Sequence, residues 1–121
     1  MAEKSQSFRD VLVWQKAHAF TLAIYRATEA FPKHELFALT SQLRRAAASV
    51  TSNFVEGFRK RTKPDKLRFH NIAQGSADGC LYQLILAHDL GSTDTISLQA
   101  DLEEVSRILQ GYINGLERGG T

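Results

Sequence analysis

Cysteine is nearly absent. Cys80 stands alone among 121 residues, so no disulfide can close within the chain, and a reducing compartment such as the cytoplasm is the expected setting. Proline occurs only as Pro32 and Pro64, which leaves long stretches without a helix breaker. No apolar run approaches the roughly 20 residues that cross a bilayer, so no membrane contact is expected. Met1 to Ser7 is polar and leads straight into an amphipathic segment, unlike a signal peptide. No GxGxxG, P-loop or GxSxG motif is present. The histidines His18, His34, His70 and His88 are never three or four residues apart, and Cys80 has no CxxC partner. These spacings offer no metal pair on a helix, and no metal or other cofactor is predicted. Glu56, Asp65, Asp78 and Asp89 are separated acids, and nothing supplies a nucleophile, base and oxyanion set. The chain is therefore expected not to be an enzyme.

What is present is helical periodicity. The hydrophobic share is 43% and the charged share 23%, which suits one folded domain spanning residues 1–121 with an ordered core over about 8–117. Val13, Ala17, Phe20, Ile24 and Ala27 recur at steps of three and four, predicting a first helix from Asp10 to Ala30. A second helix starts near His34, with a seam of Leu36, Leu39, Leu43, Ala46, Val50 and Phe54. Thr62-Lys63-Pro64-Asp65 combines a capping hydroxyl, a proline that needs no N–H and an acid at the positive end of the dipole, so it starts a third helix. That helix reaches Leu90, with Gly91 as a left-handed cap. Its seam reads Phe69, Ile72, Ala73, Ser76, Cys80, Leu84 and Ala87. Leu98, Leu102, Val105, Leu109, Tyr112 and Leu116 form a heptad seam for a fourth helix from Thr95 to Glu117. Short connections between such helices predict an all-α, antiparallel up-down-up-down four-helix bundle. From Cys80 to Ala87 the third helix is apolar around much of its circumference, so Leu81 and Ile85 are candidates for a subunit interface.

The charge distribution carries the strongest functional signal. Arg44, Arg45, Arg59, Lys60, Arg61, Lys63, Lys66 and Arg68 are opposed only by Glu56 and Asp65, and the balance turns acidic from Asp94 onward. Clustered Lys and Arg can neutralise phosphates, which makes these eight residues a candidate nucleic-acid surface, while a solvated loop is the plain alternative. No aromatic lies within Arg59 to Arg68, so contact with the phosphate backbone is expected rather than base stacking. Ser41, Gln42, Ser49, Asn53 and Glu56 on the second helix, with Asn71 on the third, form a candidate structural polar network that fixes helix register.

Three segments also resemble a known family. They are Phe8-Arg9-Asp10-Val11-Leu12-Val13-Trp14-Gln15-Lys16-Ala17, the block from Leu39 to Gly57 (LTSQLRRAAASVTSNFVEG), and Phe69-His70-Asn71-Ile72-Ala73-Gln74-Gly75-Ser76. Together they resemble the signatures of the four-helix bundle family called 23S rRNA intervening sequence proteins, over about residues 8–116. The resemblance implies a bundle that assembles as a homopentamer. Some members are encoded in segments inserted within large-subunit rRNA genes, which does not show ribosome binding. A related protein, the accessory variability protein of diversity-generating retroelements, implies RNA or DNA and a nucleic-acid enzyme such as a reverse transcriptase as partners. The chain departs from the pattern where Thr51 replaces a usual proline, so less bending of the second helix is expected. It also lacks the usual glutamates at Gly79 and Leu81, so Arg44 and Arg45 are expected to find other partners. The resulting expectation is a non-enzymatic homo-oligomeric adaptor that contacts nucleic acid through a basic surface. The alternative is a structural or protein-interaction oligomer with no nucleic-acid partner. A small-molecule pocket in the bundle core or ring channel is a third and weaker reading.

Overall fold

The computed structural model describes residues 7–119. It has four α-helices, α1 (Leu12–Thr28), α2 (Ser41–Arg59), α3 (Lys63–Asp89) and α4 (Ile96–Glu117), and no strand among the described residues. They form the expected antiparallel up-down-up-down bundle. Each helix packs on two neighbours around the ring, and α2 lies most extensively against α3. A single 3-10 turn, Phe8–Asp10, precedes α1, with the Ser7 side chain accepting from the Arg9 N–H. Phe8 then packs on Trp14, their ring centroids 5.5 Å apart, and helps to close that end of the core.

Local signals explain most boundaries. Thr62 caps α3 as its residue type suggests, its hydroxyl accepting from the Asp65 N–H at 3.3 Å. At the far end of α3, Gly91 has φ +79°, a conformation glycine adopts without a Cβ penalty. The Gly91 N–H donates to the His88 carbonyl and the Ser92 N–H to the Ala87 carbonyl, both at 3.0 Å, which is a Schellman ending. Thr95 is fully buried in the following turn, and its hydroxyl donates to the Leu84 carbonyl at 2.6 Å. This bond ties the α3–α4 turn to the core. The start of the second helix is less regular than its periodicity suggests. A 3-10 turn (Lys33–Glu35) and a π-helical turn (Leu36–Thr40) lead into α2. Beyond them α2 runs unbroken past Thr51, whose hydroxyl pairs with that of Thr21 on α1 at 3.0 Å.

The core follows the predicted seams on α1, where Val13, Ala17, Phe20 and Ile24 are buried. Thr28 is buried there instead of Ala27. On α2, Ala47 rather than Ala46 faces inward. On α4, Leu102, Val105, Leu109 and Leu116 are buried, and Ile113 replaces Tyr112 in the innermost row. The N-terminal half of α3 is the main correction. Its buried row is His70, Ala73, Ala77, Cys80, Leu84 and Ala87, while Ile72 is 44% exposed and Phe69 and Ser76 are only half-buried. Stepping back by three and four from Ala87 reaches His70 and Ala77. The greater hydrophobicity of Phe69 and Ile72 masks that register.

His70 fits because of Gly57 on α2. A Cβ at residue 57 would lie 2.6 Å from the His70 Cε1 and 2.8 Å from Nδ1. The His70 ring is itself packed between Phe54 and Tyr112, so Gly57→Ala is expected to cost about 1–3 kcal/mol of stability. At Gly111 on α4 an added Cβ meets nothing within 4 Å. There Gly→Ala is expected to gain up to about 1 kcal/mol from helix propensity. Urea-unfolding midpoints of the two variants, moving in opposite directions from the parent, check this reading.

Candidate functional site

The turn between α2 and α3 is only three residues long, Lys60 to Thr62. It brings Arg59, Lys60, Arg61, Lys63, Lys66 and Arg68 to one end of the bundle. Lys60 pairs with Glu56 at 3.7 Å, four residues earlier on α2. Arg59, Arg61, Lys63, Lys66 and Arg68 have no carboxylate within salt-bridge distance among the described residues. Among the described residues, therefore, no carboxylate pairs with their charge.

Two aromatic side chains hold part of this surface. The Lys60 ammonium lies 4.9 Å and the Arg68 guanidinium 4.7 Å from the ring centroid of Phe69. Lys66 donates to the Phe58 carbonyl at 2.8 Å and sits 5.7 Å from that residue's ring. Phe58 and Phe69 fall one residue outside the window that lacked aromatics in the sequence. Folding brings both onto its cations. Both rings are half-buried. They position Lys60, Lys66 and Arg68 through cation–π attraction rather than standing out as free stacking platforms.

The basic run does not stay together. Arg44 and Arg45 lie near the start of α2, about 22 Å along the helix from Arg59. The Arg44 Nε donates to the Thr28 hydroxyl at 2.8 Å, its Nη2 donates to the Tyr25 carbonyl at 3.2 Å, and the guanidinium lies 4.9 Å from the Tyr25 ring centroid. Arg45 donates to the Ser41 hydroxyl. Among the described residues both arginines thus have neutral partners, Arg44 on α1 and Arg45 within α2. The predicted polar residues form small separate groups rather than one connected network. The Ser49 and Ser76 hydroxyls meet across α2 and α3 at 2.8 Å, and Asn53 donates to the Ser49 hydroxyl at 3.0 Å. Gln83 reaches Gln42 at 3.5 Å, and Asn71 is exposed. Of the interface candidates, Leu81 is half-buried and packs against its own core, while Ile85 is 38% exposed.

Beneath the basic turn lies a residue whose role the sequence did not indicate. His70 is fully buried, stacked on Phe54 with centroids 5.0 Å apart and edge-on to Tyr112 at 5.3 Å. Neither ring nitrogen has a hydrogen-bond partner. Burial, assisted by the nearby Lys66 charge, pulls its pKa down to about 4. Burial also pushes the Cys80 thiol up to about 12, so it remains an unreactive thiol in the core. Among the described residues no three of His, Cys, Asp or Glu gather closely enough to hold a metal ion. No helix there is long and apolar enough to cross a membrane.

This geometry defines a four-helix bundle with one strongly basic end. The family model described as 23S rRNA-intervening sequence protein matches residues 9–111, and the chain belongs to that family. Among solved structures it is similar to a protein of unknown function from the S23 ribosomal protein family of Bacteroides thetaiotaomicron. The TM-score is 0.79 at 21% identity, over 85% of this chain and 96% of that one. That likeness supports the fold. Comparison with curated proteins gave no match.

The His70 environment makes stability depend on pH with a definite sign. Above the ordinary imidazole value of 6.5 both folded and unfolded chains hold it neutral. As pH falls through 6.5 the unfolded chain takes up the proton first, and the folded state loses stability until its own value near 4 is reached. The loss attributable to His70 is on the order of 3 kcal/mol. Unfolding measured at intervals from pH 7 to pH 4 should show this decline. His70→Leu should flatten it over that window.

Proposed function

We propose that this protein is a non-enzymatic homo-oligomeric adaptor that contacts nucleic-acid phosphates through the α2–α3 turn. The observation that carries this reading is the set of five cations at one end with no carboxylate partner. Like charges at such density repel one another, and polyanion binding relieves that repulsion while releasing counterions. The rings of Phe58 and Phe69 are occupied by Lys66, Lys60 and Arg68, so recognition is backbone-directed and weakly selective for sequence. Arg44 and Arg45, at the opposite end of α2, are not part of this surface.

The expected signature is salt dependence. With four to five phosphates engaged per protomer, log K against log salt should have a slope of roughly −3 to −4 for single strands, and somewhat steeper for duplex. Replacing Arg59, Arg61 and Lys63 together with glutamine should reduce the magnitude of that slope by about 2–3 and weaken all sequences alike. Fluorescence anisotropy with labelled RNA and DNA across a salt series measures both effects. Binding that is absent or indifferent to salt would leave the alternative reading, an oligomer that engages proteins only.

Self-association is supported by the outer face of α3. Ile72, Gly75, Gly79 and Tyr82 follow one another at helical spacing, with Ile72 44% and Tyr82 62% exposed. A Cβ at Gly75 or Gly79 meets nothing within 4 Å. Glycine inside a helix costs up to about 1 kcal/mol relative to alanine, so two open ones suit a surface that another backbone approaches closely. Ile85, rather than the partly covered Leu81, extends this face. Five copies is the number the family resemblance implies. Light scattering at micromolar concentration should give a multiple of 13.5 kDa. Tyr82→Glu, 62% exposed in the single chain, should shift that mass to the monomer while retaining helical circular dichroism. A parent chain that is itself monomeric would remove the assembly from the proposal.

A further inference from the structure

The elbow joining α1 to α2 encloses a cleft of about 380 Å³ lined by Thr28, Phe31, Pro32, Lys33, Thr40 and Arg44. Pockets that hold small organic ligands start at about 300 Å³. We infer that this cleft is a binding site for a small monocarboxylate with a compact apolar body.

Four observations converge on that ligand class. Arg44 is half-buried and fixed by its Nε bond to Thr28, its Nη2 bond to the Tyr25 carbonyl and its packing on the Tyr25 ring. All these partners are neutral, and no carboxylate lies within salt-bridge distance of it among the described residues. The guanidinium is thus held in place while, among the described residues, its charge meets no carboxylate and its Nη1 no protein acceptor, an arrangement that favours an incoming carboxylate. Thr40, only 2% exposed, lines the same cleft, and its hydroxyl has no hydrogen-bond partner. A buried hydroxyl left unbonded is costly, and a ligand oxygen at the cleft floor could accept from it after a small rotamer adjustment. Phe31 and Pro32 supply an apolar wall, which a bare inorganic anion would not use. Among the described lining residues, Lys33 and Arg44 set against Glu29 leave one net positive charge, matched to a monoanion rather than to a polyvalent one.

The elbow itself is built irregularly. The π-helical turn Leu36–Thr40 places Thr40 one residue before α2 and four before Arg44. π-helical turns occur often at functional sites, because the extra residue re-aims the side chains around it. Here it sets Thr40 and Arg44 on the same cleft. This site is independent of the basic turn, which lies at the other end of α2.

Titrating the full-length protein with benzoate, acetate and inorganic phosphate, followed by ¹H–¹⁵N NMR, tests the assignment. Benzoate should shift the Thr40 amide and the Arg44 Nε–H signals saturably, with a Kd on the order of 1 mM or below. Acetate and phosphate should bind at least about tenfold more weakly, since neither combines a single charge with an apolar body. Arg44→Lys removes the planar fork and should weaken benzoate by about tenfold or more. Thr40→Val and Lys33→Ala should each weaken it by a few-fold, with melting temperatures confirming that the variants fold. Lys33 is exposed, so its variant is informative even if the Arg44 variant does not fold. Failure of benzoate to saturate, phosphate binding as tightly as benzoate, or equal affinity in Thr40→Val and Lys33→Ala would each overturn the assignment.

Discussion

The position of Gly57 leaves no room for a Cβ, because the His70 ring lies where that atom would go. Around this point an aromatic cluster is organised. Phe54 stacks on the imidazole, Tyr112 meets it edge-on, and Phe58 continues the aromatic cluster toward the turn. Farther along the same pair of helices, Ala47, Ala73 and Ala77 are buried small residues that keep α2 and α3 near each other. The Ser49–Ser76 contact then fixes their register with a pair of hydroxyls. A well-packed neighbour pair of this kind leaves little freedom for the connecting residues. The three-residue turn therefore has a defined course, and the cations on it have defined places.

That placement works against the stability of the isolated chain. Arg59 at the C-terminal end of α2 complements the helix dipole, but Lys63 opens α3 at the positive end of its own. Asp65 offsets part of this, and Glu56 answers only Lys60. A turn selected for stability alone would carry more acids in the first turn of α3. The cation–π contacts with Phe58 and Phe69 orient side chains without lowering their charge. The result is an electrostatic cost retained at one end of the fold, which is why the turn is read as a place for an external anion.

The architecture was legible because it rests on repeated apolar steps. Four helices, the Thr62 cap and the Gly91 ending each follow from residue types whose physical preferences act locally. The N-terminal half of α3 was harder to read because its buried row is made of His70, Ala73 and Ala77, residues less hydrophobic than the outward-facing Ile72. Only the space left by Gly57, distant in sequence, makes the imidazole a core residue. The π-helical turn before α2 left no periodic trace, since one extra residue in five is too short a signal. For the candidate site, all six cations of the turn were visible as a cluster. Counting along the sequence also added Arg44 and Arg45, which a continuous helix carries to the other end. The neutral partners of Arg44 on α1 could not be inferred before the helices were paired.

An assembly built from this chain has a constraint of its own. One self-complementary face produces a twofold dimer, whereas a closed ring of five requires two unlike surfaces that meet head to tail. The chain offers a second exposed apolar pair on α1, Leu22 and Tyr25, besides the face on α3 that carries Ile72, Tyr82 and Ile85. In the ring order of the bundle α1 and α3 are diagonal, so these patches point to different sides of the protomer. Joined in that way, with bundle axes roughly along the ring axis, every copy turns its α2–α3 end the same way. In the proposed assembly the cations of the single chains would then lie along one basic rim. Because repulsion grows with each copy added, such a rim favours a long polyanion that can span several subunits over a small anion held by one.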